Sequence, residues 1–123
     1  TWRSDPPPAD ADALLTRAIE LLDAPQGAAS GNSARLSAFL ARQAVEDLIN
    51  ARCAALCGVQ AVNGTTRSKL AVIKSLDGTP AGEALVGAWH RFTGFCHQHA
   101  YQLHPTVAEV REECVRVRRD CLG

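Results

Sequence analysis

The chain has 123 residues, 46% of them hydrophobic, and its 13 basic residues balance its 13 acidic ones. This length and composition suit one compact domain with its own core. The charge balance excludes a global field that attracts nucleic acid or an anionic membrane, so any RNA binding must be local. No apolar run is long enough to span a bilayer and no charged-then-apolar leader begins the chain, so we expect neither a membrane partner nor a signal peptide.

The order of the chain predicts a short tail followed by one helical domain. Three successive prolines prevent regular structure in residues 1–8, which we predict to be a Pro-rich tail. Residues 9–123 form the predicted single domain. Alanine and leucine dominate there, β-branched residues are sparse, and apolar residues recur at helical spacing, so we predict an all-α fold.

Five cysteines occur without a C-x-x-C pair. Cys53 and Cys57 are one helical turn apart, and Cys114 and Cys121 are two turns apart, which is typical of small helix-packing residues. A disulfide or a zinc site is the alternative. We therefore expect a reducing, cytoplasmic location.

Two amphipathic helices are predicted in the first half of the domain. The first covers residues 9–23, and the second begins at a cap on Asn32 or Ser33 and ends near Cys57. We predict that the apolar side of the second helix contains Leu36, Phe39, Leu40, Val45, Leu48, Ile49, Cys53 and Leu56. Arg42 and Glu46 are spaced for an i,i+4 ion pair on a solvated face, and the alternative is a role in orienting Arg91 or an RNA backbone.

A short helix over residues 68–76 and a last helix complete the prediction around a central helix. Thr106 and Glu109 form a capping box that opens the last helix, which we expect to end near Cys121. Its other face contains Arg116, Arg118 and Arg119, either as a solvated face or as a phosphate-contacting patch. The helices together predict an up-and-down four-helix bundle with an additional short helix.

The central helix, residues 79–104, contains all four histidines. Thr79 caps its start and Pro105 ends it. One face is apolar and includes His99, which we interpret as a hydrogen-bonded core residue. The opposite strip contains His90, His97, Tyr101 and His104, flanked by Gly87 and Gly94. Because glycine weakens a helix, we predict that Gly87 and Gly94 allow close approach of a second helix at a dimer interface.

Two segments resemble a known family. Arg91 is followed by Phe-Thr-Gly-Phe-Cys and then His97, which is similar to the Arg-x5-His signature of the HEPN-domain superfamily in its bacterial, actinobacterial-type members. Residues 39–49 (FLARQAVEDLI) resemble the second long helix of that superfamily. The resemblance covers roughly residues 9–121. Two departures are that Phe92 replaces the polar residue that commonly follows the Arg, and that the spacing places Arg91 and His97 about 120° apart on a straight helix.

The resemblance implies a bundle that dimerises through the motif helices, with Arg and His from both protomers forming a metal-independent ribonuclease site. Other members have lost catalysis and bind nucleotides or partner proteins. Carried onto this sequence, it makes Arg91 the phosphate-binding guanidinium and His97 the general acid or base, since histidine transfers protons near neutral pH. The expected product is a 2′,3′-cyclic phosphate.

Residues near the motif have supporting roles in this interpretation. His90 and Tyr101 orient the His97 ring or bind a base, and Gln98, Glu46 and Arg42 contact or orient the substrate. His104 lies at the predicted helix end and interacts with terminal carbonyls. The histidines spaced seven apart lie about 10 Å apart along the axis, too far to share one ion, so we predict no metal and no cofactor.

Two functions from different classes follow. The first is a metal-independent endoribonuclease of the toxin or phage-defence type, active as a homodimer through the 79–104 helix, with RNA as its substrate and an antitoxin or other protein as its partner. The alternative is a non-catalytic HEPN-like module for dimerisation, nucleotide binding or partner binding. A small-molecule binding protein ranks third.

Overall fold

A computed structural model describes residues 9–23, 30–58, 64–97 and 105–122. About 90% of these residues are helical and none is in a strand, which confirms the all-α prediction. None of the helices in these ranges is long and apolar enough to cross a membrane. The predicted Pro-rich tail lies outside the described residues, as do Gln98, His99, Tyr101 and His104.

Five α-helices follow one another along the chain, and a single π-helical turn, Arg118–Leu122, continues the last of them. The bounds of the helices are α1 Ala9–Asp23, α2 Ser30–Cys57, α3 Thr66–Leu76, α4 Pro80–Cys96 and α5 Val107–Val117. The bounds predicted for α1, residues 9–23, are confirmed at both ends. The second helix begins before the predicted caps, and the third begins two residues early because Thr65 caps it.

Threonine side chains fix the starts of three helices. The hydroxyls of Thr65, Thr79 and Thr106 each accept a hydrogen bond from a backbone N–H in the first turn of α3, α4 and α5, respectively. Glu109 completes the predicted capping box, since its side chain accepts from the Thr106 N–H at 2.9 Å. Each cap satisfies an N–H that has no partner within its own helix, so the sequence determines where these helices begin.

Helix α2 is the central element, because it packs against α1, α3, α4 and α5. Its buried side is lined at its N-terminal end by small residues rather than by the predicted Leu36 and Phe39, which are 50% and 46% exposed. The buried residues of this side are Ala34, Ser37, Ala38, Ala41, Ala44, Val45, Leu48, Ile49 and Cys53. The small side chains allow the backbones to approach, and the Ser37 hydroxyl donates to the Ala18 carbonyl of α1 at 2.8 Å.

Helix α4 is shorter than predicted, because it ends at Cys96 rather than at His104. His97 is the C-cap and has left helical geometry, with φ −105° and ψ 27°, and its N–H donates to the Thr93 carbonyl. The last turn contains Gly94, Phe95 and Cys96, all of low helix propensity, which explains the early end. Within the described residues the predicted apolar face is confirmed, since Leu85, Ala88, Phe92 and Cys96 are buried and Trp89 and Phe95 are partly buried.

Candidate binding site on helix α4

The N-terminal end of α4 is anchored by Asp77, whose carboxylate is 4% exposed. Arg52 of α2 donates from Nε to Asp77 Oδ2 at 2.6 Å, and the Thr79 N–H and hydroxyl donate to Oδ1 at 2.9 and 2.6 Å. Burial alone raises the pKa of Asp77, but the Thr79 hydrogen bonds and the Arg52 charge outweigh it and hold the pKa below its usual value. The carboxylate therefore stays ionised and joins α2 to the start of α4.

Gly82 belongs to the same junction. A Cβ at position 82 would lie 2.6 Å from Cγ of Asp77, a side chain that three hydrogen bonds hold in place. The glycine is thus required by packing within the chain. A cavity of about 180 Å³ opens beside it, lined by Ile73, Lys74, Asp77, Gly82, Glu83 and Val86.

The C-terminal half of α4 exposes the predicted polar strip, which we call the α4 strip and define as Gly87, His90, Gly94 and His97. His90, Gly94 and His97 are exposed and Gly87 is half-buried. A Cβ at position 94 would meet no atom within 4 Å, so Gly94 fulfils no packing requirement in the described part of the chain. The strip is an open surface in one copy of the protein.

Arg91 is held by an ion pair that the sequence did not predict. Its Nε donates to Glu113 Oε1 of α5 at 2.6 Å, and the Glu113 side chain is 5% exposed whereas that of Arg91 is 42% exposed. Arg116 adds a second positive charge 3.6 Å from the same oxygen. Within the described ranges, Nε is the Arg91 nitrogen that makes a hydrogen bond, so its two terminal nitrogens can accept a ligand there.

Gly87 makes room for the Arg91 guanidinium. A Cβ at position 87 would lie 3.0 Å from Nη2 and 3.2 Å from Nη1 of Arg91. The side chain therefore folds back over the preceding turn, as helical side chains do. Gly87 consequently has a role within the chain, while its predicted role at a dimer interface stays a prediction.

Arg91 and His97 do not meet in one copy of the chain. The Arg91 guanidinium lies over Gly87, and ten residues separate Gly87 from His97, or about 15 Å along the helix axis. His90, only three residues after Gly87, shares the surface with the guanidinium. A site that uses both Arg91 and His97 on one phosphate therefore needs residues from a second copy.

Arg42 and Glu46 do not form the predicted ion pair. The Arg42 guanidinium carbon lies 4.6 Å from the ring centroid of Trp89 on α4, a cation–π contact worth about 0.5–2 kcal/mol. Glu46 accepts hydrogen bonds from Gln43 at 3.4 Å and from the Thr66 hydroxyl at 3.3 Å. Arg42 thus contacts α4 and Glu46 contacts α3, so the predicted solvated ion pair between them was wrong.

The arginines of the last helix have partners within the chain. Arg116 lies near Glu112 and Glu113, Arg118 donates to the Thr16 hydroxyl at 2.9 Å, and Arg119 pairs with Asp120. These contacts favour the structural interpretation of the arginine patch over phosphate binding.

The five cysteines are free thiols, and most of them fill the core. Burial raises the pKa of the Cys114 thiol to about 12 and that of Cys121 to about 11, and it also raises the pKa of Cys53 and Cys96. These groups are protonated at neutral pH and pack as small apolar residues. Within the described ranges, no three His, Cys, Asp or Glu side chains gather as metal ligands would.

No protein-family model, no curated protein and no solved structure matches this chain. The resemblance to HEPN domains therefore rests on the residues that carry it. Of the predicted site residues, Arg91, His90 and His97 lie on the exposed side of α4, and Arg42 lies at the junction of α2 and α4. Sequence reasoning missed Glu113 as the partner of Arg91, because its place on the mixed-charge face of α5 does not reveal a contact with α4.

Proposed function

We propose that the protein is a HEPN-like module, a bundle of α1, α2, α4 and α5 with α3 as an additional short helix, that self-associates through the α4 strip. Gly94 carries the proposal. Glycine at this position weakens the end of α4 by up to about 1 kcal/mol relative to alanine. No neighbour in the described part of the chain lies close enough to require the absence of a side chain. Close packing of a second helix against the strip would explain why position 94 has no side chain.

The test is the sedimentation of three proteins. The parent protein sediments as a dimer, and Gly94→Leu sediments as a monomer because the new side chain occupies the contact. Gly78→Leu is the matched control, since position 78 is also exposed and also has open space around it. Circular dichroism checks that each variant is helical. A monomeric parent, or a dimeric Gly94→Leu protein, contradicts the proposal.

The second candidate function is metal-independent RNA cleavage by the dimer. It is favoured by the Arg91 contact, because Glu113 holds Nε while the terminal nitrogens have no hydrogen-bond acceptor among the described residues. Positions 87 and 97 are equidistant from the middle of the strip. Two α4 helices that cross antiparallel would therefore place His97 of the second copy opposite the Arg91 guanidinium, the pair that the chemistry needs. The five free thiols support a cytoplasmic location for either function.

This candidate is tested with total RNA in EDTA. The parent protein yields fragments with 2′,3′-cyclic phosphate ends, and His97→Ala lowers the rate by about 10²-fold or more. Gly94→Leu abolishes cleavage together with dimerisation. If the dimeric parent leaves RNA intact, the nuclease is excluded and the self-associating module remains.

A further inference from the structure

Arg42 differs from most other described arginines in having no polar partner within the described ranges. Carboxylate, hydroxyl or carbonyl oxygens accept from or lie near the arginines at positions 17, 52, 91, 111, 116, 118 and 119. Among the described residues, Arg42 makes neither a hydrogen bond nor an ion pair, and its Nε is buried without an acceptor. Its positive charge is therefore uncompensated within the part of the chain that the structure describes.

The Trp89 ring holds this charge in a fixed place. The guanidinium lies 4.6 Å from the ring centroid, so the stack restricts the side chain that would otherwise move freely in solvent. An arginine stacked on an aromatic ring keeps its terminal nitrogens available for phosphate, which it can bind through two parallel hydrogen bonds. The contact thus forms half of an anion site before any ligand arrives.

Phe39 is an exposed aromatic residue one helical turn before Arg42 on α2. Phe39 is three residues before Arg42 on α2, and residues with this spacing are neighbours on a helix surface. Its ring is 46% exposed, although the sequence pattern predicted it in the core. Phe39, Arg42 and Trp89 define what we call the Arg42 surface, which joins an exposed ring to an uncompensated cation.

Arg35 and Arg42 both lie near the C-terminal turn of α4. Burial raises the pKa of the Cys96 thiol, while the charges of Arg42 and Arg35 oppose that rise. Both guanidinium groups therefore act on the C-terminal turn of α4, next to the exposed His97. The Arg42 surface is locally basic even though the chain as a whole is neutral.

We propose that the Arg42 surface binds a nucleotide unit of single-stranded nucleic acid, with its phosphate on the terminal nitrogens of Arg42 and its base stacked on Phe39. A nucleotide combines the two groups that this surface lacks, an anion and a flat ring. A duplex stacks its bases internally and cannot offer one to Phe39. The inference concerns a face formed by α2 and α4 and is independent of self-association through the α4 strip.

Fluorescence anisotropy of a short labelled oligouridine at low salt tests the proposal. The parent protein binds saturably, and Phe39→Ala weakens binding about tenfold or more, as expected for loss of one base stack. Arg42→Ala weakens binding similarly and reduces the salt slope by about 0.7, the value for one phosphate of a single strand. Arg42→Lys keeps the charge but loses the two parallel hydrogen bonds of the guanidinium, so it binds more tightly than Arg42→Ala and less tightly than the parent protein.

Two matched controls separate the Arg42 surface from general effects. Arg67→Ala removes an exposed arginine of α3, and Leu76→Ala removes a side chain that is 57% exposed, and neither alters binding. The measurements are repeated in the Gly94→Leu background, where binding of the oligonucleotide persists although self-association is lost. All variants are compared by circular dichroism, which shows whether a loss of binding comes from unfolding.

Trp89 provides a direct readout. The chain has two tryptophans, so a Trp2→Phe variant leaves Trp89 as the single indole, and its fluorescence changes when a phosphate engages Arg42. Uridine monophosphate gives the same change if the ligand is a free nucleotide, whereas only the oligomer gives it if a strand is required. The proposal is overturned if neither probe binds, if a duplex binds as tightly as the single strand, or if Arg67→Ala weakens binding as much as Arg42→Ala.

Discussion

The two ends of α4 use their polar residues in opposite ways. At the N-terminal end, Arg52, Asp77 and Thr79 satisfy one another, and Gly82 is needed because the Asp77 carboxylate lies against it. At the C-terminal end, a Cβ at position 94 would meet no atom of the described residues within 4 Å, and His97 is exposed.

The contrast separates groups that hold the fold from groups that are free to act. A buried carboxylate such as Asp77 contributes to stability because its removal takes away the counter-charge that lies 2.6 Å from the largely buried Arg52. Exposed side chains without contacts contribute little to stability, so they can be replaced in a test of binding without loss of the fold. The first three predictions below concern paired residues, and the last concerns the open end.

The largest expected effect is at the N-terminal junction. Asp77→Ala leaves Arg52 without its carboxylate and lowers the free energy of unfolding by about 3 kcal/mol. Urea denaturation measures it. Glu20→Gln is the control, because the exposed pair of Arg17 and Glu20 contributes less than about 0.5 kcal/mol. Equal losses in the two variants would contradict the contrast between the ends of α4.

The same junction predicts a dependence on pH. The pKa of Asp77 is lower in the folded protein than in the unfolded chain, so the unfolded chain takes up the proton first as the pH falls. The stabilisation is present above the unfolded pKa of about 4 and is lost as the pH falls through the folded pKa. The difference in stability between the parent and Asp77→Asn should therefore shrink below about pH 4. A difference that stays constant down to the acid transition would contradict the assignment.

A smaller effect is expected where α4 meets α5. Glu113→Gln removes the charge that holds Arg91 and lowers the free energy of unfolding by about 1–3 kcal/mol. The loss is below that of Asp77→Ala because Arg91 is 42% exposed and regains water. Glu112→Gln, at a side chain that is 76% exposed, is the control and changes stability little. If the Glu113 variant is as stable as the control, the ion pair does not order Arg91.

Local chemistry made several elements predictable from the sequence. Threonine caps, a proline at the first helical position and a capping box act within one turn, so the starts of α4 and α5 were placed correctly. The apolar face of α4 was also predicted, since Leu85, Phe92 and Cys96 recur at helical spacing and are buried. Of the candidate site, the exposure of His90 and His97 followed from the same pattern.

The missed features depend on contacts between distant residues. Large apolar side chains were taken to mark the core of α2, but the core uses alanines because α1 approaches closely, and this leaves Phe39 outside. Arg42 could pair with Glu46 one turn away or stack on Trp89, which is 47 residues away in the chain, and spacing within one helix favoured the local partner. The Glu113 partner of Arg91 was likewise invisible, because no pattern within a helix reports a contact between two helices.

The smallest change tests the open end of α4 most directly. Gly94→Ala adds a methyl group where no atom lies within 4 Å, so it raises the free energy of unfolding by up to about 1 kcal/mol through helix propensity. The same methyl group weakens self-association, because it lies on the surface that a second helix must approach. Gly87→Ala is the control within the strip and stabilises the protein less, since its Cβ would lie 3.0 Å from Nη2 of Arg91 and the end of that side chain must shift. Thermal melts and sedimentation of both variants measure the two effects together. A Gly94→Ala protein that is more stable and still fully dimeric would show that the second helix does not touch position 94, and the α4 strip would lose its assigned role.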